Sequence, residues 1–436
     1  MPKRGLRVLV VGAGGREHAL AWKLRGACSV ERVWCAPGNS GTAELGCNLP
    51  IGEGDLEGIA NAAVELKTDL VVIGPEAPLA AGLADQLHAE GVAVFGPTRR
   101  AAELEWSKAF AKRFMHEHRL PTADFQVFDD RAKAHDYLAS ARFPLVVKAD
   151  GLAAGKGVTI CHAVREAERA VNEAMLGGRF GQAGRRIVIE EFLEGEEISL
   201  IALTDGERVS VLPPARDYKR LLDGDVGPNT GGMGCYAPVE SVSPSLIAEI
   251  TRTILEPTVA ALANMGRPYR GALYAGLMLA EDGPKLLEFN CRFGDPETQV
   301  LMPLLDEDLA ELLLACATGT LPDRPIRTVG GAAVCLSLAS GSYPEPSTSR
   351  PPISGIDRAR EAGATVFHAG TALDDGQLVA AGGRVLSVVS ADADLERATE
   401  HAYEAAGVIQ FDGRQLRRDL AARHLASRVS RQVALR

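Results

Sequence analysis

Short apolar runs alternate with longer mixed stretches over the first hundred residues of the chain. The runs span residues 7–11, 32–35, 70–73 and 92–95, and each ends in a loop that carries glycine or proline. This rhythm predicts strands separated by helices, which is typical of an open parallel sheet. Ligands of such sheets bind beyond the carboxyl ends of the strands, where the sequences GAGGREH, APGN and GPEAP fall.

The pattern predicts a second set of elements between residues 107 and 293. A helix opens at Ser107, a suitable N-cap, and ends before Pro121. The predicted elements are helices at 107–119, 164–175 and 246–265 and strands at 145–149, 158–161, 186–192, 272–279 and from 286 onwards. A hairpin turn is predicted at 204–207. From about residue 330 we expect short strands, one helix at 395–406 and a loop at SYPEPSTSRPP.

Composition narrows the class of protein. A chain of 436 residues predicts two to four domains, and 46% apolar with 24% charged residues is typical of a soluble globular protein. The net charge of −10 argues against a nucleic-acid binder. The eight cysteines form no CxxC pair, the N-terminal apolar run is too short for a signal peptide, and no stretch reaches transmembrane length. We therefore expect a cytoplasmic protein that binds neither nucleic acid nor membrane.

Two glycine-rich segments nearly match known phosphate motifs. VLVVGAGGREHA resembles a dinucleotide fingerprint, but Glu17 occupies the third glycine position and no acid follows the second strand. GLAAGKG resembles a Walker loop, but it is one residue short and has Gly157 where a hydroxyl should reach magnesium. Both standard interpretations are therefore rejected.

The loop GLAAGKG can still fold over a polyphosphate and offer backbone N–H groups and Lys156. Lys148 interrupts an apolar strand, and Lys108 lies at the positive end of a helix dipole. Each lysine alone could be a surface residue with a buried stem, and the loop could be a plain hairpin turn. Together they predict a triphosphate site.

The strand LLEFNCRFGDPE places Glu288, Asn290 and Arg292 at every second position. Because strand side chains alternate between faces, these three point one way and the three intervening residues point the other. Acid and amide oxygens suit Mg²⁺, and a guanidinium suits a carboxylate or a phosphoryl oxygen. The alternative is a solvated edge strand. Asp295 has its own alternative, since it could cap a helix whose first residue is Pro296.

These segments, with IEEFLEGEE, GPNTGGMG and FHAGT, closely resemble the phosphoribosylamine–glycine ligase family of the ATP-grasp superfamily, over residues 6–420. The resemblance implies an α/β chain, α+β in part, with a Rossmann-like open parallel-sheet domain at 1–104. It further implies an ATP-grasp core at 105–328 with a small lid at about 120–193, and a mixed α/β domain at 329–436. It implies a cytoplasmic monomer or weak dimer, and the chain length suggests a single ligase activity.

The implied reaction joins glycine to 5-phosphoribosylamine through glycyl phosphate, with ATP as the phosphoryl donor and Mg²⁺ or Mn²⁺ as the metal. The implied catalytic residues are Arg292, Lys148 and Asp217, and the implied metal ligands are Glu288 and Asn290. ATP would contact Lys108, Lys148, Gly151, Gly155, Lys156, Gly157, Glu190, Glu191, Phe192, Leu193 and Glu197. The two other substrates would contact Gly14, Gly15, Arg16, Glu17, Pro37, Gly38, Asn39, Gly74, Pro75, Glu76, Asn229, Thr230, Gly231, Gly232, Met233, Gly234, Arg292, Asp295 and Glu297.

The chain departs from the family pattern in the segment ARDYKR. Arg216 and Tyr218 stand where the family has glutamine and histidine, so position 218 is not expected to act as an acid or base. His368 is expected to be a hydrogen-bonded structural residue. Two other functions stay open: an ATP-grasp ligase or carboxylase for another acid, and a nucleotide-binding regulator without catalysis.

Overall fold

The computed structural model describes residues 5–152, 157–176, 178, 181–422 and 424–425. Its first unit is a five-stranded parallel sheet, which confirms the predicted open parallel sheet. The strands are β1 (Leu6–Gly12), β2 (Val30–Pro37), β3 (Cys47–Asn48), β4 (Leu70–Ile73) and β5 (Val94–Phe95). The helices are α1 (Gly15–Arg25), α2 (Thr42–Leu45), α3 (Leu56–Glu65), α4 (Glu76–Ala81) and α5 (Leu83–Ala89).

The strand order of this sheet is β3-β2-β1-β4-β5, so the winding direction reverses between β1 and β4. Ligands bind in the crevice at such a switch point. The loops after β1 and β4 flank that crevice, whereas the loop after β2 lies on the other side of β1. The order therefore separates GAGGREH and GPEAP from APGN.

Helices α6 (Glu103–Trp106) and α7 (Lys108–Glu117) lead into a small four-stranded antiparallel sheet with its own apolar core. Its strands are β6 (Phe125–Phe128), β7 (Leu145–Ala149), β8 (Val158–Cys161) and β9 (Ile187–Glu191). Helices α8 (Arg131–Leu138) and α9 (Val164–Met175) and a 3-10 turn (Gly181–Arg185) accompany it. We call residues 125–191 the lid.

A second antiparallel sheet, in the order β11-β10-β16-β17, lies opposite the lid. Its strands are β10 (Glu196–Asp205), β11 (Val209–Val211), β16 (Arg270–Ala280) and β17 (Gly283–Asn290). Between them in the chain come β12 (Arg216–Asp217), β13 (Arg220–Leu222), β14 (Val226–Asn229) and β15 (Gly234–Ala237), of which β13 and β14 form a hairpin. The predicted hairpin turn between β10 and β11 is confirmed.

The helix predicted at 246–265 consists of α10 (Pro244–Ile250), a π-helical turn (Thr251–Leu255) and α11 (Glu256–Asn264). The irregular turn ends two residues before Pro257, which lacks the N–H that a continuous α-helix needs. Helices α12 (Glu297–Leu304) and α13 (Leu309–Thr318) follow β17.

Among the described residues of the C-terminal part, a short helix that the sequence did not predict precedes the predicted one. They are α14 (Ile356–Glu361) and α15 (Leu395–Val408), and the strands are β18 (Ala332–Ala339), β19 (Thr365–His368), β20 (Thr371–Asp374), β21 (Gln377–Ala380) and β22 (Arg384–Asp392). The six residues of α14 are too few to show a helical period. The main sheet runs β12-β15-β18-β22-β19, so strands from the middle of the chain complete it. No helix among the described residues is long and apolar enough to cross a bilayer.

Candidate active site

A cavity of about 810 Å³ lies where the parallel sheet, the lid and the second antiparallel sheet meet. Its volume is within the range of about 300–1,000 Å³ that is typical of small-molecule sites. Glu288, Asn290 and Arg292 all line it, while Cys291 and Phe293 are buried away from it. Phe289 is buried but also borders the cavity, so the alternation predicted for this strand is present only in part. Strand β17 ends at Asn290, and Arg292 lies just beyond it.

Arg292 is held by two carboxylates. Its Nε lies 3.3 Å from Glu76 Oε2 and 3.3 Å from Glu105 Oε1, and its Nη2 donates to Asn290 Oδ1 at 3.3 Å. Burial raises the pKa of Glu105, although the charge of Arg292 opposes this shift. Burial also acts to raise the pKa of Glu76, but the charges of Arg292 and Arg16 outweigh it, and the pKa of Glu76 is lowered. The guanidinium is therefore fixed in place beside Asn290.

Glu288 is surrounded by cations. Burial alone would raise its pKa, but Lys219, Lys148 and Lys108 together lower it. Lys219 Nζ lies 3.9 Å from Glu288 Oε1 and also pairs with the carboxylate of Glu197. Glu288 is thus held as an anion in a region rich in positive charge, which suits a metal ion bound beside phosphate.

Lys148 is paired within the protein, which compensates its burial in β7. Its Nζ lies 2.9 Å from Glu190 Oε2, and the Nζ of Lys112 lies 3.0 Å from the same oxygen. Lys112 donates to Thr122 Oγ1 at 2.7 Å, and burial lowers its pKa to about 8. The other oxygen of Glu190 is buried with no hydrogen-bond partner among the described residues. Two lysines and one acid thus form a compact buried group in the cavity wall.

Lys108 is the first residue of α7, and Ser107 caps this helix as predicted, because its Oγ accepts from the N–H of Phe110. Lys108 Nζ donates to the carbonyl of Gly151 at 3.1 Å. Asp150 also accepts from the N–H of Ala109 at 3.1 Å, so a protein carboxylate already meets part of the positive end of the helix. Lys108 still lines the cavity.

The glycine loop connects the antiparallel strands β7 and β8 as predicted. Gly157 lines the cavity, and Gly151 adopts φ +114°, which favours glycine. The predicted ligands Gly155 and Lys156 lie outside the described residues.

The segment after β9 enters the cavity only in part. Phe192 and Leu193 line it, but the Glu191 side chain is exposed and accepts from the N–H of Asp124 at 3.2 Å. Glu197 lines the cavity on the neighbouring strand β10.

Asp217 and Glu297 form an acidic corner of the cavity. Glu297 Oε1 accepts from Ser199 Oγ at 2.9 Å and from the Tyr274 hydroxyl at 3.0 Å. Asp217 Oδ1 is buried and has no partner in the described structure. Burial, followed by the charge of Glu297, raises the pKa of Asp217 well above its usual value. This corner is suited to bind a group that carries positive charge or a proton.

The helix cap that the sequence leaves open as an alternative for Asp295 is not formed. Helix α12 begins at Glu297 with Pro296 at the cap position. The carboxylate of Asp295 instead accepts from Gln299 Nε2 at 2.7 Å and from Arg384 Nη2 at 2.6 Å. The long-range guanidinium is a better partner than the backbone of the first turn, and it holds Asp295 in the cavity wall.

Only the first half of the GPNTGGMG loop reaches the cavity. Asn229, Thr230 and Gly231 line it, and Arg384 Nη1 donates to the carbonyl of Gly231 at 2.6 Å. Gly232, Met233 and Gly234 lie behind it and pack in the protein. A Cβ at Gly232 would lie 2.6 Å from Asp217 Oδ1, so this glycine allows the loop to approach the acidic corner.

The GGREH segment forms the start of α1. Gly14, Arg16 and Glu17 line the cavity, whereas Gly15 packs on α12 near Gln299. Glu17 Oε2 accepts from the N–H of Gly14 at 2.7 Å, and Glu17 Oε1 pairs with Arg16 Nε at 2.5 Å. The helix N-terminus is therefore already capped by a glutamate from its own first turn.

Pro75 and Glu76 also line the cavity, as the switch point predicts, but the segment Pro37–Asn39 does not. Asn39 donates to the carbonyls of Ala13 and His368, both at 2.8 Å, and accepts from two N–H groups of its own turn. Gly74 gives space for Glu17, because a Cβ there would lie 2.1 Å from Glu17 Oε1. These three residues and Gly74 have packing roles in this structure.

Sequence reasoning missed several residues of the cavity. They are Glu53, Glu105, Lys112, Tyr274 and Arg384, and all of them line it. Lys112 follows Lys108 by one helical turn, so a search for a second cation on the same face could have found it. The others come from distant segments and leave no local signal. Among the described residues no cluster of three or more His, Cys, Asp or Glu side chains could hold a metal.

The antiparallel lid and the facing sheet, with a cation-rich cavity between them, define an ATP-grasp protein. A solved structure agrees on the fold. It is the biotin carboxylase domain of a Hydrogenobacter thermophilus 2-oxoglutarate carboxylase, determined with MgADP. Its TM-score is 0.70 at 18% identity, over 95% of this chain and 92% of that one. At this identity the likeness concerns the fold alone.

The chain belongs to the phosphoribosylglycinamide synthetase family. The N, ATP-grasp and C domain models of that family match residues 6–105, 106–298 and 333–423. A phosphoribosylamine–glycine ligase of Nostoc sp. is 49% identical over 96% of this chain and 99% of its own length. A crystal structure of the Thermotoga maritima ligase gives a TM-score of 0.84 at 36% identity, over 95% of this chain and 100% of that one.

Longer relatives match over one part only. The trifunctional purine biosynthetic protein adenosine-3 of Gallus gallus is 49% identical over 96% of this chain. This chain spans about 42% of the length of that relative.

Proposed function

We propose that this chain joins glycine to 5-phosphoribosylamine at the expense of ATP. A carboxylate oxygen of glycine attacks the γ-phosphorus, and the bond to ADP breaks. The amine then attacks the carbonyl carbon of glycyl phosphate, phosphate leaves, and a proton leaves the nitrogen. The observation that carries the proposal is the row Glu288, Asn290 and Arg292 facing one cavity beside three lysines.

ATP would lie between the lid and the second antiparallel sheet. Lys108, Lys148 and Lys219 supply positive charge around Glu288, and phosphoryl transfer depends mainly on positioning and charge neutralisation. Lys148 is held by Glu190, so its ammonium is oriented before the nucleotide binds. Phe192 and Leu193 would border the base. The carboxylate of Glu197 would give up its ion pair with Lys219 and accept a hydrogen bond from a ribose hydroxyl instead.

Glu288 and Asn290 fit a hard divalent cation, Mg²⁺ or Mn²⁺. Both offer oxygen, Glu288 is held as an anion, and two protein ligands leave positions for phosphate oxygens and water. Such a cation would neutralise charge that develops on the transferred phosphoryl group. Arg292 fixes Asn290 through the 3.3 Å hydrogen bond from Nη2. The remaining N–H groups of its guanidinium would lie beside the same phosphoryl group.

Glycine would occupy the acidic corner. Asp217 Oδ1 is buried without a partner, and a glycine ammonium would supply one. Once glycyl phosphate has formed, the same carboxylate can accept the proton released by the attacking amine, because its pKa is raised. Tyr218 is not suited to that role, since its hydroxyl accepts the N–H of Ala421 and burial raises its pKa.

Phosphoribosylamine would enter at the switch point of the parallel sheet. Arg16 lies at the start of α1 and provides a guanidinium for the ribose phosphate, while Glu76 borders the same crevice. Gly14 and Pro75 shape the walls of this subsite.

We also propose the division into residues 1–104, 105–328 with the lid, and 329–436, and a cytoplasmic monomer or weak dimer. The separate core of the lid supports the division. Light scattering during size-exclusion chromatography would measure the oligomeric state.

The test is the substrate requirement for ADP release. The ligase should form ADP only with glycine and phosphoribosylamine together, should stop with EDTA, and should recover with Mg²⁺ or Mn²⁺. Glu288→Gln should lower kcat by about 10²–10³, a loss typical of removing one electrostatic group from a reacting centre. ADP release with bicarbonate in place of glycine would instead support a carboxylase, and unchanged turnover in Glu288→Gln would reject the metal site.

A further inference from the structure

The C-terminal residues 417–421, which we call the clasp, hold the β13–β14 hairpin. The Arg417 side chain is fully buried, and its Nη1 donates to Asp225 Oδ1 at 2.8 Å. Its Nε and Nη2 donate to the two carboxylate oxygens of Asp419 at 2.8 and 2.6 Å. A planar fork with two carboxylates is a strong and directional arrangement, so it fixes the hairpin tip relative to the clasp.

Backbone groups reinforce this contact from both sides. The N–H of Arg418 donates to Asp223 Oδ1 at 2.8 Å, and the N–H of Gly224 donates to Asp419 Oδ2 at 2.9 Å. Arg417 Nη1 also donates to the carbonyl of Arg220 at 3.2 Å. The hairpin thus has several charge-assisted bonds to a segment almost 200 residues away.

Tyr218 connects the clasp to the cavity. The guanidinium carbon of Arg417 lies 4.7 Å from the centre of the Tyr218 ring, and the Tyr218 hydroxyl accepts from the N–H of Ala421 at 2.9 Å. Ala421 has φ +62°, a left-handed backbone conformation that is unfavourable for a residue other than glycine. The tertiary contacts of the clasp stabilise this conformation.

The backbone of Tyr218 is fixed as well. Its N–H donates to the carbonyl of Gly234 at 2.9 Å, and its carbonyl accepts from Met233 at 2.8 Å. Its neighbours in the chain are Asp217 and Lys219, which both line the cavity. The carbonyl of Lys219 accepts from the N–H of Thr230 at 2.7 Å. A shift of the Tyr218 ring would therefore move Asp217, Lys219 and Thr230 together.

We propose that Arg417 and Tyr218 are positioning residues for the glycine subsite, and that the clasp sets the place of Asp217 and Thr230. The inference rests on the proposed assignment of Asp217 to glycine. Arg417 does not line the cavity, whereas Tyr218 borders it between Asp217 and Lys219. Arg417 acts through Tyr218 and through the hairpin that leads into Thr230.

A purely structural role would have another signature. It would lower the melting temperature and leave the Michaelis constants unchanged. Arg414 provides the matched control, because it belongs to the same C-terminal segment and donates to the carbonyls of Ala406 and Ile409, away from the hairpin. Arg414→Met should destabilise the C-terminal part without altering the glycine subsite.

The experiment compares Arg417→Met, Tyr218→Phe and Arg414→Met in the full chain. Arg417→Met should raise the KM for glycine and lower kcat, by about tenfold to a hundredfold in kcat/KM, since a misplacement of about 1 Å can cost on the order of 10². Tyr218→Phe should show a smaller effect of the same kind. The loss of ATP affinity, measured by calorimetry, should be smaller than the rise in the KM for glycine, because Lys108 and Lys148 do not depend on the clasp. Amide exchange of residues 220–229 should accelerate only in Arg417→Met.

The double variant Arg417→Met with Asp217→Asn separates this inference from the function assigned to Asp217. If the clasp acts through Asp217, Arg417→Met must have a smaller effect in the Asp217→Asn background than in the parent, whichever substrate Asp217 binds. Fully additive effects, or equal kinetic losses in Arg417→Met and Arg414→Met, overturn the clasp. A rise in the KM for phosphoribosylamine alone in Asp217→Asn overturns the glycine assignment.

Discussion

The Nε of Arg292 lies 3.3 Å from Glu76 Oε2, and this ion pair joins the second antiparallel sheet to the parallel sheet across the cavity. Glu76 follows β4 at the switch point, and Arg292 follows β17, so the ends of two unrelated strands meet at one contact. The metal subsite and the phosphoribosylamine subsite of the proposed reaction are therefore neighbours. A glycyl phosphate formed at one would lie beside the amine held at the other.

Arg292→Lys tests whether the fork of this residue is needed. Lysine keeps the charge but cannot contact Glu76, Glu105 and Asn290 in one plane. We expect kcat/KM for glycine-dependent ADP release to fall by about 10²–10³. The folded state should also lose about 1–3 kcal/mol, because Glu105 and the partly exposed Glu76 lose hydrogen bonds from their partner.

Arg327→Lys is the matched control, because the Arg327 side chain is exposed and its partner Glu307 keeps a second cation, Arg324. Ion pairs of exposed side chains contribute about 0–1 kcal/mol. Steady-state kinetics and urea unfolding would measure both effects. Wild-type kinetics in Arg292→Lys would mean that the charge alone suffices.

Much of the fold follows from local pattern, and the site follows from it only in part. The alternation at Glu288, Asn290 and Arg292 is a property of one strand, so the sequence predicts which side they face. Arg384 and Glu105 come from segments 89 and 186 residues from their partners Asp295 and Cys291. Nothing in a local window predicts such pairs, and for that reason the sequence leaves a helix cap open as an alternative for Asp295.

The loops of the parallel sheet show the same limit. GAGGREH, APGN and GPEAP look equivalent in sequence, because each follows a predicted strand. Only the strand order, with β1 between β2 and β4, shows that APGN lies away from the switch point. The fit of Glu17 likewise depends on Gly74, which is distant in sequence.

Lys112→Met tests the buried pair of lysines on Glu190. Removing one cation leaves the carboxylate paired with Lys148 alone, so stability should fall by about 1–3 kcal/mol, and ATP affinity should fall as well. Lys112→Met with Glu190→Gln should be less stable still, because the buried Lys148 then loses its carboxylate partner. Thermal unfolding and calorimetric titration with ATP would measure these changes. A double variant as stable as Lys112→Met would contradict the charge argument.

Gly74→Ala tests the space that Glu17 occupies. A Cβ at this position would lie 2.1 Å from Glu17 Oε1, so the carboxylate must leave the N-terminus of α1. We expect a loss of about 1–3 kcal/mol and a higher KM for phosphoribosylamine, with the KM for ATP unchanged. Gly407→Ala, which meets no atom within 4 Å, should leave every KM unchanged. Equal phosphoribosylamine kinetics in both variants would show that Glu17 has no part in that subsite.

The buried pair His18 and His368 predicts a loss of stability in mild acid. The N–H of His368 donates to His18 Nδ1 at 2.8 Å, which requires that nitrogen to be unprotonated. Burial, with His368 and Arg360 as further causes, lowers the pKa of His18 to about 3, and burial with Arg360 lowers that of His368 to about 4.

Because both folded-state pKa values lie below the unfolded value of 6.5, the unfolded chain binds more protons in this range. The stabilisation is complete above pH 6.5 and declines as the pH falls towards 4, by about 1.4 kcal/mol per pH unit for each histidine. Urea unfolding between pH 7.5 and pH 4.5 would measure the slope. His368→Gln should reduce the slope of stability against pH. His135→Gln, which alters a histidine of the lid, should leave that slope unchanged. An unchanged slope in His368→Gln would assign the acid sensitivity to other groups.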